Sequence, residues 1–245
     1  VYLTEKFASI SQNEFVDLVS GGWGMGIQRK FNVSVYDSNN TLTVYLWKSA
    51  TASETGWTLM SSQNYTTVGT WKNLSFTQEF TCAERGTWYF KFNASNFVGN
   101  RNTTTATKTQ NNFTLTYDDI IWEYFSGQNS TQNRSGSQTN LLSFRVKDAN
   151  GTYLNTNFAT KFYVTTANVT PGHSDSNFEI VTNNTGYANL NFDPTCLGTY
   201  SGAPKFAIGE QQWYITVNTS ELGCYNQNNS YTTIPRRLYV WGDII

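Results

Sequence analysis

Histidine is almost absent from this sequence: His173 is the one histidine in 245 residues. It lies in the polar turn Thr170-Pro171-Gly172-His173-Ser174-Asp175-Ser176. A Ser/His/Asp relay would have to use it, and no Gly-x-Ser-x-Gly context offers a nucleophile. Common zinc sites need several His and Cys at tight spacing, which one histidine and three cysteines do not provide. Charge is scarce as well. Asp, Glu, Lys and Arg make up 13% of the chain, about half the usual share. The net charge of −1 argues against nucleic acid as a partner, since phosphate binding needs clustered Lys and Arg. The adjacent basic pairs, Arg29-Lys30 and Arg236-Arg237, read as solvated strand ends. No apolar run reaches the roughly 18 residues of a membrane span, and no charged-then-apolar leader stands at Val1. Helical periodicity is confined to Asn13 to Val19, with Ser11 as N-cap. Gly21-Gly22-Trp23-Gly24-Met25-Gly26 approaches a phosphate-cradling loop. However, Ile27 replaces the third glycine and no helix follows, so it reads as a flexible approach to the first core strand.

What the chain has instead is Asn, Thr, Ser and Gln. Acceptor sequons Asn-x-Ser/Thr occur at Asn32, Asn39, Asn64, Asn73, Asn93, Asn102, Asn112, Asn129, Asn133, Asn150, Asn168, Asn183, Asn218 and Asn228, roughly twice the number chance would give. Their placement follows strand parity. Asn32 alternates with Phe31, Val33 and Val35; Asn93 alternates with Trp88, Phe90 and Phe92; Asn112 opposes Phe113, Leu115 and Tyr117. Asn73 and Asn218 fall on the polar parity of their strands in the same way. Side chains on a strand alternate faces, so these five point to solvent. Asn39, Asn150 and Asn183 fall in turn-like stretches. Glycans at these positions would hydrate a surface that charge does not protect.

Strand signals dominate. Lys30 to Asp37, Leu42 to Trp47, Asn73 to Phe80, Thr87 to Ala94, Asn112 to Tyr117, Leu141 to Lys147, Thr160 to Thr165, Gly186 to Phe192, Gln211 to Val217 and Arg237 to Val240 alternate or carry β-branched and aromatic residues. Turn residues separate them at short intervals, the rhythm of β-sandwiches. The predicted class is all-β, with two tandem Ig-like sandwiches. An internal echo sets the boundary: Asp119-Ile120-Ile121 and Asp243-Ile244-Ile245 each follow an alternating strand. This predicts a leading segment or tail of a preceding unit at 1–20, one domain at 21–118, a second at 119–242, and the start of a following repeat at 243–245. The expected array forms through tandem domains, with strand exchange by residues 1–10 as the alternative.

Cys196 and Cys224 flank the Trp213 strand in the second domain. A bridge between them would close a loop of about 29 residues and stabilise by roughly 3–4 kcal/mol on the chain-entropy model. Cys82 is then left over, as a buried thiol or as a partner for a cysteine elsewhere. Asp118, Asp119 and Glu123 gather at the domain junction, either as an interdomain Ca²⁺ site with neighbouring carbonyls or as a charged, solvated junction. Tyr45 and Trp47 alternate against Leu42, Val44 and Leu46. They form either an exposed sugar-binding platform or packing under a glycan or neighbour. No catalytic residues, cofactor or further metal site are expected.

Several stretches carry a resemblance. In the first half they are Gly22-Trp23-Gly24, Phe31-Asn32-Val33-Ser34-Val35, Gly56-Trp57-Thr58-Leu59, and Phe80-Thr81-Cys82 before Gly86-Thr87-Trp88-Tyr89-Phe90. In the second they are Phe144-Arg145-Val146-Lys147-Asp148, Phe192-Asp193-Pro194-Thr195-Cys196, Gly223-Cys224-Tyr225 and Val240-Trp241-Gly242. Together these resemble the Ig-like repeats of large archaeal cell-surface glycoproteins of the S-layer and adhesin type. Cys82 departs from that pattern, which tends to place a partner cysteine nearby. The resemblance implies a non-enzymatic extracellular scaffold whose partners are copies of itself or adjacent domains of one long chain. A carbohydrate-binding or adhesin module is the alternative, and a hydrolase accessory region a third.

Overall fold

A computed structural model describes residues 9–10, 14–24, 28–38, 41–53, 55–66, 69–96, 101–103, 111–134, 138–154, 157–166, 176–194, 206–226 and 235–242. The chain is all-β and divides into two compact units, Val1–Tyr117 and Asp118–Ile245.

The first unit has strands β1 (Ser9–Ile10), β2 (Phe15–Val16), β3 (Ser20–Gly22), β4 (Arg29–Tyr36), β5 (Leu42–Ser49), β6 (Thr58–Tyr65), β7 (Lys72–Gln78), β8 (Gly86–Asn96), β9 (Arg101–Thr103) and β10 (Asn112–Thr116). In one sheet β4 pairs with β1, β2 and β7. The other runs β3-β10-β8-β5-β6, with β9 on β8. The second unit has β11 (Ile120–Ser126), β12 (Ser130–Asn133), β13 (Asn140–Asp148), β14 (Ala159–Val164), β15 (Ser176–Val181), β16 (Tyr187–Phe192), β17 (Gly209–Val217) and β18 (Arg236–Trp241). Its sheets run β11-β13-β16 and β12-β18-β17-β14-β15.

The two units share one scheme. The leading stretch of each first pairs antiparallel in the smaller sheet, at β1 and β2 on β4 and at β11 on β13. It then crosses and pairs parallel with the last strand of the larger sheet, at β3 on β10 and at β12 on β18. The described residues of the leading segment 1–20 therefore pair within the first unit. Ser9 and Ile10 pair with Tyr36 and Val35 of the same chain. The stretch Asn13 to Val19, too short for its helical periodicity to predict a helix, holds a strand at Phe15–Val16, which pairs with Asn32 and Phe31. Two alternating residues with only Val16 facing the core are strand-like, and a seven-residue helix cannot offset its nucleation cost.

Period-two alternation fills each core. In β5, Leu42, Val44 and Leu46 are buried while Thr43, Tyr45 and Trp47 are half-exposed. Phe31 on β4 meets Phe90 at 5.1 Å and Phe113 at 5.2 Å, both edge-to-face, the geometry the ring quadrupole favours. In the second unit Trp213 is fully buried, edge-on to Phe144 at 5.5 Å and stacked on Phe162 at 6.0 Å. Where β11 gives way to β12, Gly127 has φ 107°. A Cβ there would sit 2.6 Å from Leu142 and 2.9 Å from Trp213, so the crossing requires glycine at this point.

Arg29 corrects an expectation. It shares the inward parity of Phe31, Val33 and Val35 and is 1% exposed, while Lys30 beside it is exposed. Its guanidinium donates to the carbonyls of Leu18 and of Gly21 (3.1 Å), with longer contacts to those of Gly22 and Thr114. These oxygens border the crossing into β3 and its seam with β10. Burial pulls the Arg29 pKa down, and Asp17 opposes that effect. Arg236 is half-buried with its guanidinium over the Tyr124 ring, and exposed Arg237 pairs with Glu210.

Replacing Arg29 with Met, which keeps bulk but no donors, should leave these carbonyls without their donor. A loss of about 2–3 kcal/mol is expected in denaturant unfolding, whereas Lys30→Met should change stability by less than about 0.5 kcal/mol.

Candidate functional site

The outer face of the larger sheet in the first unit carries an open cleft of about 570 Å³. It is lined by Tyr45 and Trp47 from β5, Gly56 and Trp57 from the β5–β6 connection, and Lys91, Asn93 and Ser95 from β8. The register explains the grouping. Tyr45 lies opposite Asn93, Trp47 opposite Lys91, and Thr43 opposite Ser95. All six face away from Leu42, Val44, Leu46, Phe92 and Ala94. Tyr45 and Trp47 are tilted at 42° with centroids 6.3 Å apart. The Trp57 indole donates to the Ser53 carbonyl at 2.7 Å, and Lys91 Nζ lies 4.3 Å from the Trp57 ring centre. The parity of Tyr45 and Trp47 was visible in the sequence; Trp57 was not, because a loop brings it there. The set offers ring faces for a sugar's C–H surface and polar groups at the rim for its hydroxyls.

Asp118, Asp119 and Glu123 have separate partners. Glu123 pairs with Lys147 and accepts from the Tyr153 hydroxyl. The Lys147 hydrogen bond holds its carboxyl below the ordinary value. Asp119 accepts from the Asn226 side chain at 2.6 Å. Asp118 is 4% exposed and packs near buried Asp148 and Tyr225. One Asp118 oxygen accepts the Asp119 N–H at 2.9 Å, and the other has no hydrogen-bond partner. Burial pushes the Asp118 carboxyl up, the Asp119 N–H opposes this, and the negative charges of Asp148 and Asp119 add to the rise. Tyr225 is raised by burial and by the negative charges of Asp148, Asp118 and Glu221. Asp148 has its own role, accepting the N–H groups of Asn150 and Thr152 to fold the turn after β13. Among the described residues no three His, Cys, Asp or Glu side chains group as a metal site would need.

Cys82 opens a 3₁₀ turn (Cys82–Glu84) closed by a capping box, in which the Thr81 N–H donates to Glu84 at 2.8 Å. Burial alone would raise the Glu84 carboxyl, but its bonds to Lys48 and Thr81 bring it below the ordinary value. Cys82 and Cys224 are both disulfide-bonded, so the free thiol expected at Cys82 is corrected. Cys196, the partner expected for Cys224, lies outside the described residues.

The sequon asparagines whose side chains are described are exposed or half-exposed: Asn64, Asn73, Asn129, Asn150 and Asn183 are exposed, and Asn32, Asn93, Asn112, Asn133 and Asn218 half-exposed. Asn102 lies on β9. Asn39, Asn168 and Asn228 lie outside the described residues, as do His173 and the Asp243-Ile244-Ile245 echo.

Two outcomes follow. Asp118→Asn should raise the melting temperature at pH 7, because an ionised buried carboxylate is removed. A raised carboxyl pKa stabilises the fold only while the proton is bound and loses that contribution as pH rises through the folded value. The gain should therefore shrink toward pH 4; a gain equal at both pH values would refute the assignment. In native protein, alkylation before reduction should spare Cys82 and Cys224; labelling of either would overturn the oxidised assignment.

No protein-family model matches the chain, and no curated protein matches it. Among solved structures, latent PorU from Porphyromonas gingivalis aligns with 99% of this chain and 21% of its own, at 9% identity and TM-score 0.33. A tetra-tandem repeat from the extending region of a large adhesion protein aligns over 94% of this chain and 48% of its own, at 12% identity and TM-score 0.39. A Mobiluncus mulieris adhesin with disulfide, isopeptide and ester cross-links aligns over 98% and 100%, at 7% identity and TM-score 0.31. This chain thus spans less than half the length of the first two. None of these scores reaches 0.5, and the likeness does not extend to function.

Proposed function

We propose that this chain is an N-glycosylated structural segment of an extracellular surface protein, built from tandem sandwich units and belonging to an archaeal surface layer or filament. The observation that carries the reading is the repeated scheme. Two units share one strand order, and residues 117–119 alone separate the last strand of the first from the first strand of the second. Covalent tandem repetition builds length without needing chemistry at any site. The accessible sequon asparagines support the glycosylated part of the reading. The archaeal assignment rests on the strand wording of the sequence. A non-enzymatic role fits side chains whose buried polar groups serve turns and seams.

The second reading is a carbohydrate-binding or adhesin module, favoured by the cleft at Tyr45, Trp47 and Trp57. The two separate in the native setting. Label-guided tomography of the source cell surface should show the parent protein in an ordered array or filament. Glycopeptide analysis should find most of the fourteen sequons occupied. A scattered, monomeric parent would replace the structural reading with the binding-module one; occupancy at fewer than about four sequons would remove the glycan coat from it.

A further inference from the structure

The aromatic cleft contains a sequon of its own. Asn93-Ala94-Ser95 runs along β8, with Ala94 fully buried and Asn93 and Ser95 both lining the cleft. Alternation puts the acceptor amide and its hydroxyl partner on the outward face, directly across from Tyr45 and Thr43. The neighbouring sequon Asn64 on β6 stands opposite Thr43, whose hydroxyl donates to its side-chain oxygen at 3.0 Å. Asn112 on β10 stands opposite Tyr89 on the same outward face. A glycan on Asn64 or Asn112 would start beside the cleft; one on Asn93 starts within it.

We propose that the cleft is the resting place of the chain's own Asn93-linked glycan. In this arrangement the first sugars stack on Tyr45 and Trp47 and are bordered by Trp57 and Lys91. The ligand is an oligosaccharide carried covalently by the chain itself. Three features favour it over a free sugar. Asn93 is itself part of the cleft wall, so the effective concentration of a tethered sugar exceeds that of a dissolved one. The Tyr45–Asn93 pairing places a ring beside the linkage, and side chains directly across a strand pair sit about 4.5–5.5 Å apart at Cβ. The cleft volume suits a short sugar chain, being within the roughly 300–1,000 Å³ of small-ligand sites. A glycan held against the sheet also covers ring surface that would otherwise face water, and it stiffens the β5–β8 pair.

The proposal rests on the glycoprotein reading, and the experiment separates the two. The chain is produced in a host that glycosylates its sequons. Three variants are compared with it: Ser95→Ala, which removes the sequon but leaves Asn93; Tyr45→Ala/Trp47→Ala; and the triple variant. Glycopeptide mass gives occupancy, acrylamide quenching reports exposure of the cleft tryptophans, and melting gives stability. Asn93 is expected to be occupied. Ser95→Ala should raise quenching and lower the melting temperature by about 2–6 °C. In the Tyr45→Ala/Trp47→Ala background the same change should have no further effect on melting. If other sequons are occupied and Asn93 is not, this inference fails and the glycoprotein reading stands. If no sequon is occupied, the glycoprotein reading fails first. An occupied Asn93 whose removal alters neither quenching nor melting overturns the stacking. A saturable fluorescence response of unglycosylated protein to soluble oligosaccharides, at micromolar affinity, would reassign the cleft to a free ligand.

Discussion

Each unit closes by dividing its leading stretch between two sheets, and much of the architecture depends on that crossing. A strand that leaves one sheet for the other exposes carbonyls where neither ladder reaches. In the first unit the buried guanidinium of Arg29 takes several of these oxygens. In the second, Gly127 lets the backbone approach Trp213 and Leu142 closely, and the Gly127 carbonyl accepts from the Ser130 hydroxyl at 3.0 Å. One unit seals the crossing with a cation and the other with a close backbone approach, yet both reach the same parallel pairing with the last strand.

Central strands were legible in the sequence because one face of each is apolar. Arg29–Tyr36, Leu42–Ser49, Gly86–Asn96 and Gly209–Val217 all stand within a residue or two of the predicted spans. Two edge strands were not. Thr58–Tyr65 has Tyr65 as its one buried residue, so it has no hydrophobic period to read, and Ser176–Val181, at the margin of its sheet, sends only Phe178 fully into the core. The short leading strands failed for a related reason: two or three residues carry too little pattern. Arg29 was misread because charge was taken as a sign of exposure, although its parity with Phe31 pointed inward.

The cleft was half legible. Alternation placed Tyr45 and Trp47 outward, and the same rule placed Asn93 outward, but cross-strand register is what joins them. Trp57 enters through loop geometry, anchored by its bond to Ser53. The buried Asp118 beside Asp148 was hidden for the same reason: the two carboxylates are distant in sequence, and only the pairing of β11 with β13, which sets Ile120 opposite Asp148, brings them together.

The ion pairs of this molecule bear on the medium in which it can work. Lys48 is matched by Glu84, Lys147 by Glu123, Lys161 by Glu179 and Arg237 by Glu210. Arg85, Arg145 and Arg236 lie against tyrosine rings. Charges neutralised this locally cast little field beyond their neighbours. At 0.1 M salt the Debye length is about 10 Å, shrinking to about 3 Å at 1 M, but there is little long-range field for it to screen. The contribution of these paired groups is therefore nearly alike in dilute water and in brine.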